Sequence, residues 1–180
     1  MSTAHDVIHF WFTETAPAQR WTADPAFDAL IAERFGALHA RAAQAELSSW
    51  RSSADGRLAE VLVLDQFSRN IHRNTPQAFA QDGMALVLAQ EAVACAADQA
   101  LSTLHRSFLY MPFMHSESPA VHEQALALFT ALGGDNSLHF EQRHKAIIDR
   151  FGRYPHRNAI LGRESTPQEI EFLTQPGSRF

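Results

Sequence analysis

The sequence predicts an all-α protein, an antiparallel helical array of about nine helices, and three observations carry that prediction. Every clear apolar periodicity has helical spacing. No stretch alternates apolar and polar residues between turn signals, as a half-buried strand would. Pairs such as Asp24-Pro25, Thr75-Pro76 and Ser118-Pro119 recur as helix starts. In such a pair the first side chain accepts a bond from the free amides of the first turn. Pro fits the next position because its missing N–H is not needed there.

Taken in order, Thr3 caps a first helix that buries Val7, Ile8, Trp11 and Phe12. The helix after Asp24-Pro25 presents Phe27, Leu30, Ile31 and Leu38 on one face, with Phe35 beside them. Asp55-Gly56 opens a third, with Leu58, Val61, Leu62 and Asp65 on one stripe. Thr75-Pro76 caps a short helix through Ala80, and an apolar helix runs from Asp82 to about Ala97. Ser102 starts the next, which carries Leu104, Phe108 and Leu109 until Pro112 ends or kinks it. The Ser118-Pro119 helix stops at Gly133-Gly134, which suit a left-handed cap. Asp135 or Asn136 begins a long helix through Phe151, stopped by Gly152. Last, Thr166, Pro167 and Glu169 spell a capping box. The connections are short and none is low in complexity, so residues 1–180 read as a single all-helical domain.

A chain of 180 residues, 46% of them hydrophobic, can bury a core of its own. A net charge of −5 and a pI near 6.0 argue against nucleic acid or an anionic membrane as partner, since both call for a basic excess. No apolar run approaches the ~18–20 residues of a membrane span. The start, MSTAHDVIHFWF, lacks the basic region of a signal peptide, so a cytoplasmic protein is expected. Cys95 is the single cysteine, which rules out a disulfide within the chain; in the Ala-rich EAVACAADQA it is expected to be a small buried core residue. Fourteen basic residues are Arg and one, Lys145, is Lys. That bias resembles a genome-wide coding preference and weakens each Arg as a sign of anion binding.

One pattern is written twice. DQFSRNIHRN, from Asp65 to Asn74, and DRFGRYPHRN, from Asp149 to Asn158, share D-x-F-x-R-x-x-H-R-N at an offset of 84 residues. Leu58, Leu62, Asp65 and Arg69 fall on one helix face, so Asp65 points where core residues point and needs partners, of which Arg69 at i+4 is the nearest. Each copy then marks a helix end, a compact turn and a helix start. His72, Arg73 and Asn74 could serve only to close that end. The functional alternative is convergence of Asp65, Arg69, His72, Arg73, Asp149, Arg150, Arg153, His156, Arg157 and Asn158 at one end of the array. FLYMPFMHSES would add His115 and Glu117, and the long helix His144, which shares its apolar stripe with Ile148 and Phe151.

At these segments the chain resembles a known family. LVLDQFSRNIHRNTPQAFAQD, FLYMPFMHSE and RFGRYPHRNAILGRESTPQEIEFL, with the early FWF and AFDALIAERF, are similar to the bacterial domain-of-unknown-function family numbered 924 over nearly the whole chain. The family pattern carries Pro at the position of Ser68 and more often Phe than Tyr at position 154. The resemblance implies an all-α fold similar to tetratricopeptide-like helical hairpins, and no established activity.

Several chemistries lack their markers. His139 and His144 lie five apart, ~140° around a helix at ~100° per residue, and H-E-x-x-H is absent, so no metal is expected. There is no G-x-S-x-G around Ser116, no G-x-G-x-x-G and no P-loop, so no cofactor is expected. Two readings remain. In the first, an Arg/His/Asp-lined pocket binds a small acidic ligand, carboxylate or phosphate, with acid–base catalysis left open. There Arg69, Arg73, Arg153 and Arg157 anchor the anion, while Asp65 and Asp149 orient them. His115 and His156 move protons, Asp149 is a further acid–base candidate, Glu117 is a base or orienter, and His72, His144 and Asn158 complete the lining. Trp11 and Trp21 wall such a pocket or belong to the core. In the second, the array is an interaction scaffold whose groove takes a peptide through its carboxylate. A homodimer is compatible with either.

Overall fold

The computed structural model describes residues 2–178, apart from the side chain of Asp135. Eight helices lie among these residues when contiguous segments are joined, against the nine or so expected. α1 comprises Ala4–His9 and a π-helical turn, Phe10–Glu14. α2 is Pro25–Ala43. α3 joins Ala54–Leu62, a second π-helical turn, Val63–Phe67, and Ser68–Ile71. α4 is Asp82–Ala94, and α5 joins Thr103–Leu109 to Met111–Met114 across Tyr110. α6 is Pro119–Leu132, α7 Asp135–Phe151 and α8 Pro167–Phe172. No strand occurs among the described residues, and no helix is long and apolar enough to cross a membrane.

Side-chain caps fix several of the helix starts, although Thr75 and Ser118, expected as caps, make no capping bond. Thr3 and Asp6 form a capping box on α1, Asp24 caps α2, and Thr166 with Glu169 boxes α8. Ser53, two residues ahead of the expected Asp55, caps α3. Gly56 is then needed for another reason: a Cβ there would overlap the Trp50 carbonyl oxygen. Cys95 departs from expectation. α4 ends at Ala94, not near Ala97, so Cys95 stands at its C-cap before left-handed Ala96 and is exposed rather than buried.

α3 occupies the centre, packed against α1, α2, α4 and α5. That is why Leu58 through Ser68 are buried without a break, including the polar Glu60, Asp65, Gln66 and Ser68. Around it Phe10, Trp11, Phe35, Phe67 and Phe108 interlock, with Phe35 5.0 Å from both Phe10 and Phe67. Such aromatic pairs contribute about 0.5–1.5 kcal/mol each beyond area burial. Trp11 is therefore core, whereas Trp21 is 65% exposed and stacks on Phe108 from outside. α6 and α7, joined by Gly133 and Gly134, pack as a hairpin on α5. A second small core of Ile147, Ile148 and Tyr154, with Phe151 and Phe172, seats the second corner against α7 and α8.

Candidate functional site

The two repeated corners meet at one residue absent from either copy. Asp82, the first residue of α4, accepts two bonds from Arg69 at 3.0 and 3.1 Å and one from Arg157 Nη1 at 3.2 Å. Arg69 also lies 3.1 Å from Asp65, and Arg157 Nη2 donates to the His115 carbonyl at 3.0 Å. The Arg157 guanidinium is held between the rings of Phe79 and Tyr154, 4.6 and 4.7 Å from their centroids.

These groups border an open cleft of about 340 Å³. Pro76, Phe79, Leu86, Pro112 and Leu161 form its apolar side, and Asp82, His115, Ser116, Glu117 and Arg157 its polar side. Three carboxylates (Asp65, Asp82, Glu117) face three guanidinium groups (Arg69, Arg157, Arg163), so the formal charges cancel. Glu117 takes a bidentate pair from Arg163 at 2.6 and 2.9 Å and the Tyr154 amide at 2.7 Å.

Asp65 is 1% exposed and reaches His115 Nδ1 at 2.7 Å from within the π-helical turn of α3. Burial by itself would raise the Asp65 carboxyl, but Arg69 and His115 more than offset it and hold it below the usual carboxylate range. Burial, then Arg69, lowers His115 despite the pull of Asp65, so the imidazole is neutral near pH 7. An ionised carboxylate only accepts hydrogen bonds, so His115 Nδ1 carries the proton. Nε2, at the opposite edge of the ring, then has its lone pair free. It has no hydrogen-bond partner among the described residues, and His115 lines the cleft.

Of the residues singled out from the sequence, His115, Glu117 and Arg157 line the cleft, and Asp65 and Arg69 stand directly behind it. The others are not brought there. Arg73 forks onto Asp28 at 2.5 and 2.8 Å, beside Asn70. His72 sets its ring edge-on to buried His39, 5.2 Å away. Arg153 forks onto Glu169, the capping-box carboxylate of α8, at 2.7 and 2.8 Å. Asn158 is fully buried among Ser165, Arg163 and Glu169. His144 bonds the Phe140 carbonyl within α7, and the ring of His156 lies 5.6 Å from that of Tyr154. Asp149 is half exposed and held by Lys145 at i+4, at 2.8 and 2.9 Å. Asp149→Asn should leave the melting temperature within about 2 °C of wild type, read by thermal unfolding, because exposed pairs contribute little.

The residues that sequence reasoning passed over are Asp82, Arg163, His122, Glu141 and the hydroxyl of Tyr154. Asp82 reads only as a helix start in AQDGM, and its partner Arg157 is 75 positions away. His122 and Glu141 face each other across the α6–α7 hairpin at 2.7 Å, both fully buried. Only the arrangement of the two helices reveals that contact. Among the described residues no three His, Cys, Asp or Glu side chains are grouped to hold a metal ion.

The family model for DUF924, bacterial proteins of unknown function, matches residues 7–177. A solved structure of a protein of unknown function from Agrobacterium tumefaciens is similar to this chain at 42% identity, covering 94% of this chain and 96% of that one, with a TM-score of 0.90. No curated protein matches.

Proposed function

Because this chain belongs to the DUF924 family, whose description assigns no activity, we propose a role from its cleft: binding a small molecule by its carboxylate at Arg157 and moving a proton through His115. The observation that carries this reading is the Asp65–His115 contact of 2.7 Å, made from the wall of the cleft that Arg157 also lines. A buried carboxylate fixes the ring and its tautomer, and the free nitrogen acts as a general base near neutral pH. Arg157 has five N–H donors. Nε is sealed without a partner among the described residues and two Nη hydrogens hold Asp82 and the His115 carbonyl, leaving one hydrogen on each Nη for a ligand. The flanking carboxylates Asp82 and Glu117 disfavour a doubly charged phosphate, so a monoanionic carboxylate with an apolar body against Phe79, Leu86 and Leu161 fits best. The anchored group is that of a free acid or of a peptide C terminus. An extended peptide-binding scaffold is less well supported, since Asp82, His115, Glu117 and Arg157 line one cleft while Arg73 and Arg153 are tied to carboxylates elsewhere.

The test is calorimetry with short aliphatic and aromatic carboxylates, inorganic phosphate, and a dipeptide with free or amidated C terminus. Monocarboxylates should bind, and Arg157→Lys, which keeps the charge but loses the fork, should weaken them about tenfold or more. Preference for the free-ended dipeptide over the simple acids would identify a peptide ligand. Binding unchanged in Arg157→Lys, or no binding by any carboxylate, would remove the anchor.

A further inference from the structure

Four successive residues of the α5–α6 turn are held from outside their own helix. The Tyr154 hydroxyl donates to the Met114 carbonyl at 2.5 Å. Arg157 donates to the His115 carbonyl at 3.0 Å, and His122 Nε2 to the Ser116 carbonyl at 2.9 Å. The Tyr154 amide then donates to the Glu117 carboxylate at 2.7 Å. The segment so held carries both His115 and Glu117 into the cleft wall.

Geometry fixes the hydrogens in this arrangement. A carbonyl only accepts, so the Tyr154 hydroxyl and His122 Nε2 are both donors. Tyr154 Oη, its own hydrogen on Met114, has only lone pairs to offer His122 Nε2 at 3.3 Å, which agrees. With Nε2 protonated, the 2.7 Å contact between His122 Nδ1 and Glu141 Oε1 requires one further proton between them. On nitrogen it makes imidazolium and carboxylate; on oxygen it makes imidazole and carboxylic acid. The unit is neutral in both forms. Both side chains are 0% exposed, and Glu141 Oε2 has no partner among the described residues, so the uncharged form is favoured. Burial raises the Glu141 carboxyl in the same sense. An apolar pair of equal volume would fill this space without leaving a buried oxygen unbonded, so the polar pair has a task other than filling it.

We propose that His122, Glu141 and Tyr154 are positioning residues for His115: the proton enclosed between His122 and Glu141 keeps His122 Nε2 a donor to the Ser116 carbonyl, and with Tyr154 it sets where the imidazole of His115 meets Asp65. The proposal rests on the reading of His115 as the proton acceptor of the cleft. It explains why the second corner and α7 are built against this turn. It also gives the buried pair a role that neither the hydrophobic core nor the ligand anchor needs.

The experiment reads the ring nitrogens of His115 by two-bond proton–nitrogen correlation in the ligand-free full chain near neutral pH, beside thermal unfolding. In wild type His115 should show one well-separated pair of nitrogen signals, protonated Nδ1 and bare Nε2. In His122→Phe, and more weakly in Tyr154→Phe, that separation should shrink as the second tautomer becomes populated. Glu141→Gln should keep the wild-type pattern, because its amide N–H supplies the hydrogen to His122 Nδ1. Lower melting temperatures with His115 signals unmoved in the folded variants would reduce the residues to packing and overturn the proposal. If His122→Phe does not fold, Tyr154→Phe, which lacks one oxygen, decides the question. A Glu141→Gln spectrum that shifts His115 would overturn the enclosed proton. No ligand is present, so failure of carboxylate binding at Arg157 would register separately.

Discussion

Replacing Asp82 by alanine is expected to destabilise the protein by about 3 kcal/mol, read as a loss of about 6–12 °C in melting temperature. Asp82 is the shared acceptor of Arg69 and Arg157. Among the described residues its removal leaves Arg69 with the carboxylate of Asp65 alone and Arg157, 8% exposed, with no carboxylate at hydrogen-bonding distance. Breaking a buried ion pair typically costs about 3–5 kcal/mol because the surviving charge stays desolvated. The lower end applies because Asp82 is 19% and Arg69 20% exposed, so water can replace part of what is lost. Asp82→Asn keeps an acceptor oxygen and should lose less. Adding Arg157→Met to Asp82→Ala should recover part of the loss, since the stranded cation goes with it; the coupling is read from a double-mutant cycle. If Asp82→Ala melts within a degree or two of wild type, solvent satisfies both guanidinium groups and the corners are not joined through this carboxylate.

How far the site could be read in advance follows from which contacts are local. Asp65 with Arg69 and Lys145 with Asp149 are i,i+4 pairs, visible once a helix is recognised. The capping boxes at Thr3 and Thr166 are equally local. Two π-helical turns, by contrast, have no composition signature, and the second shifts Asp65 within α3. Of the repeated pattern's guanidinium groups, Arg69 and Arg157 do converge, on Asp82. The pattern also overstated the likeness of the copies. Asn74 is exposed and left-handed, with φ 62°, at the end of the first corner. Asn158 is buried, helical and triply bonded in the second. Equivalent letters serve different backbones because the first corner leads to α4 across Pro76, whereas the second is enclosed by Glu169 of α8. The guanidinium groups of Arg73 and Arg153 look the same in sequence as that of Arg157. Only their carboxylate partners, 45 and 16 positions away, decide that they are bound elsewhere.

Acid should unfold this protein earlier than its carboxylates alone would dictate, through His144. The residue is 6% exposed, and burial pushes its imidazole down to about 3, although its bond to the Phe140 carbonyl pulls the other way. In the unfolded chain it titrates near ~6.5. A base whose folded value is depressed contributes stability that is complete above the unfolded value. That contribution is lost as pH falls, because protons bind preferentially to the unfolded state. The loss runs from about pH 6.5 down to about pH 3 at roughly 1.4 kcal/mol per pH unit, several kcal/mol in all. Glu141, raised by burial, titrates with the opposite sign: its contribution is present at low pH and lost as pH rises through its folded value. Comparing wild type with His144→Phe cancels that term and the acid limb of the other carboxylates, which both proteins share. At pH 7 the variant should be the less stable, by about 1 kcal/mol for the lost hydrogen bond. Between pH 6 and pH 4.5 the gap in urea denaturation should close and then reverse. Parallel pH profiles for the two proteins would mean that His144 is protonated in the fold with a compensating partner, and that the α7 face against Tyr154 is more polar than its burial implies.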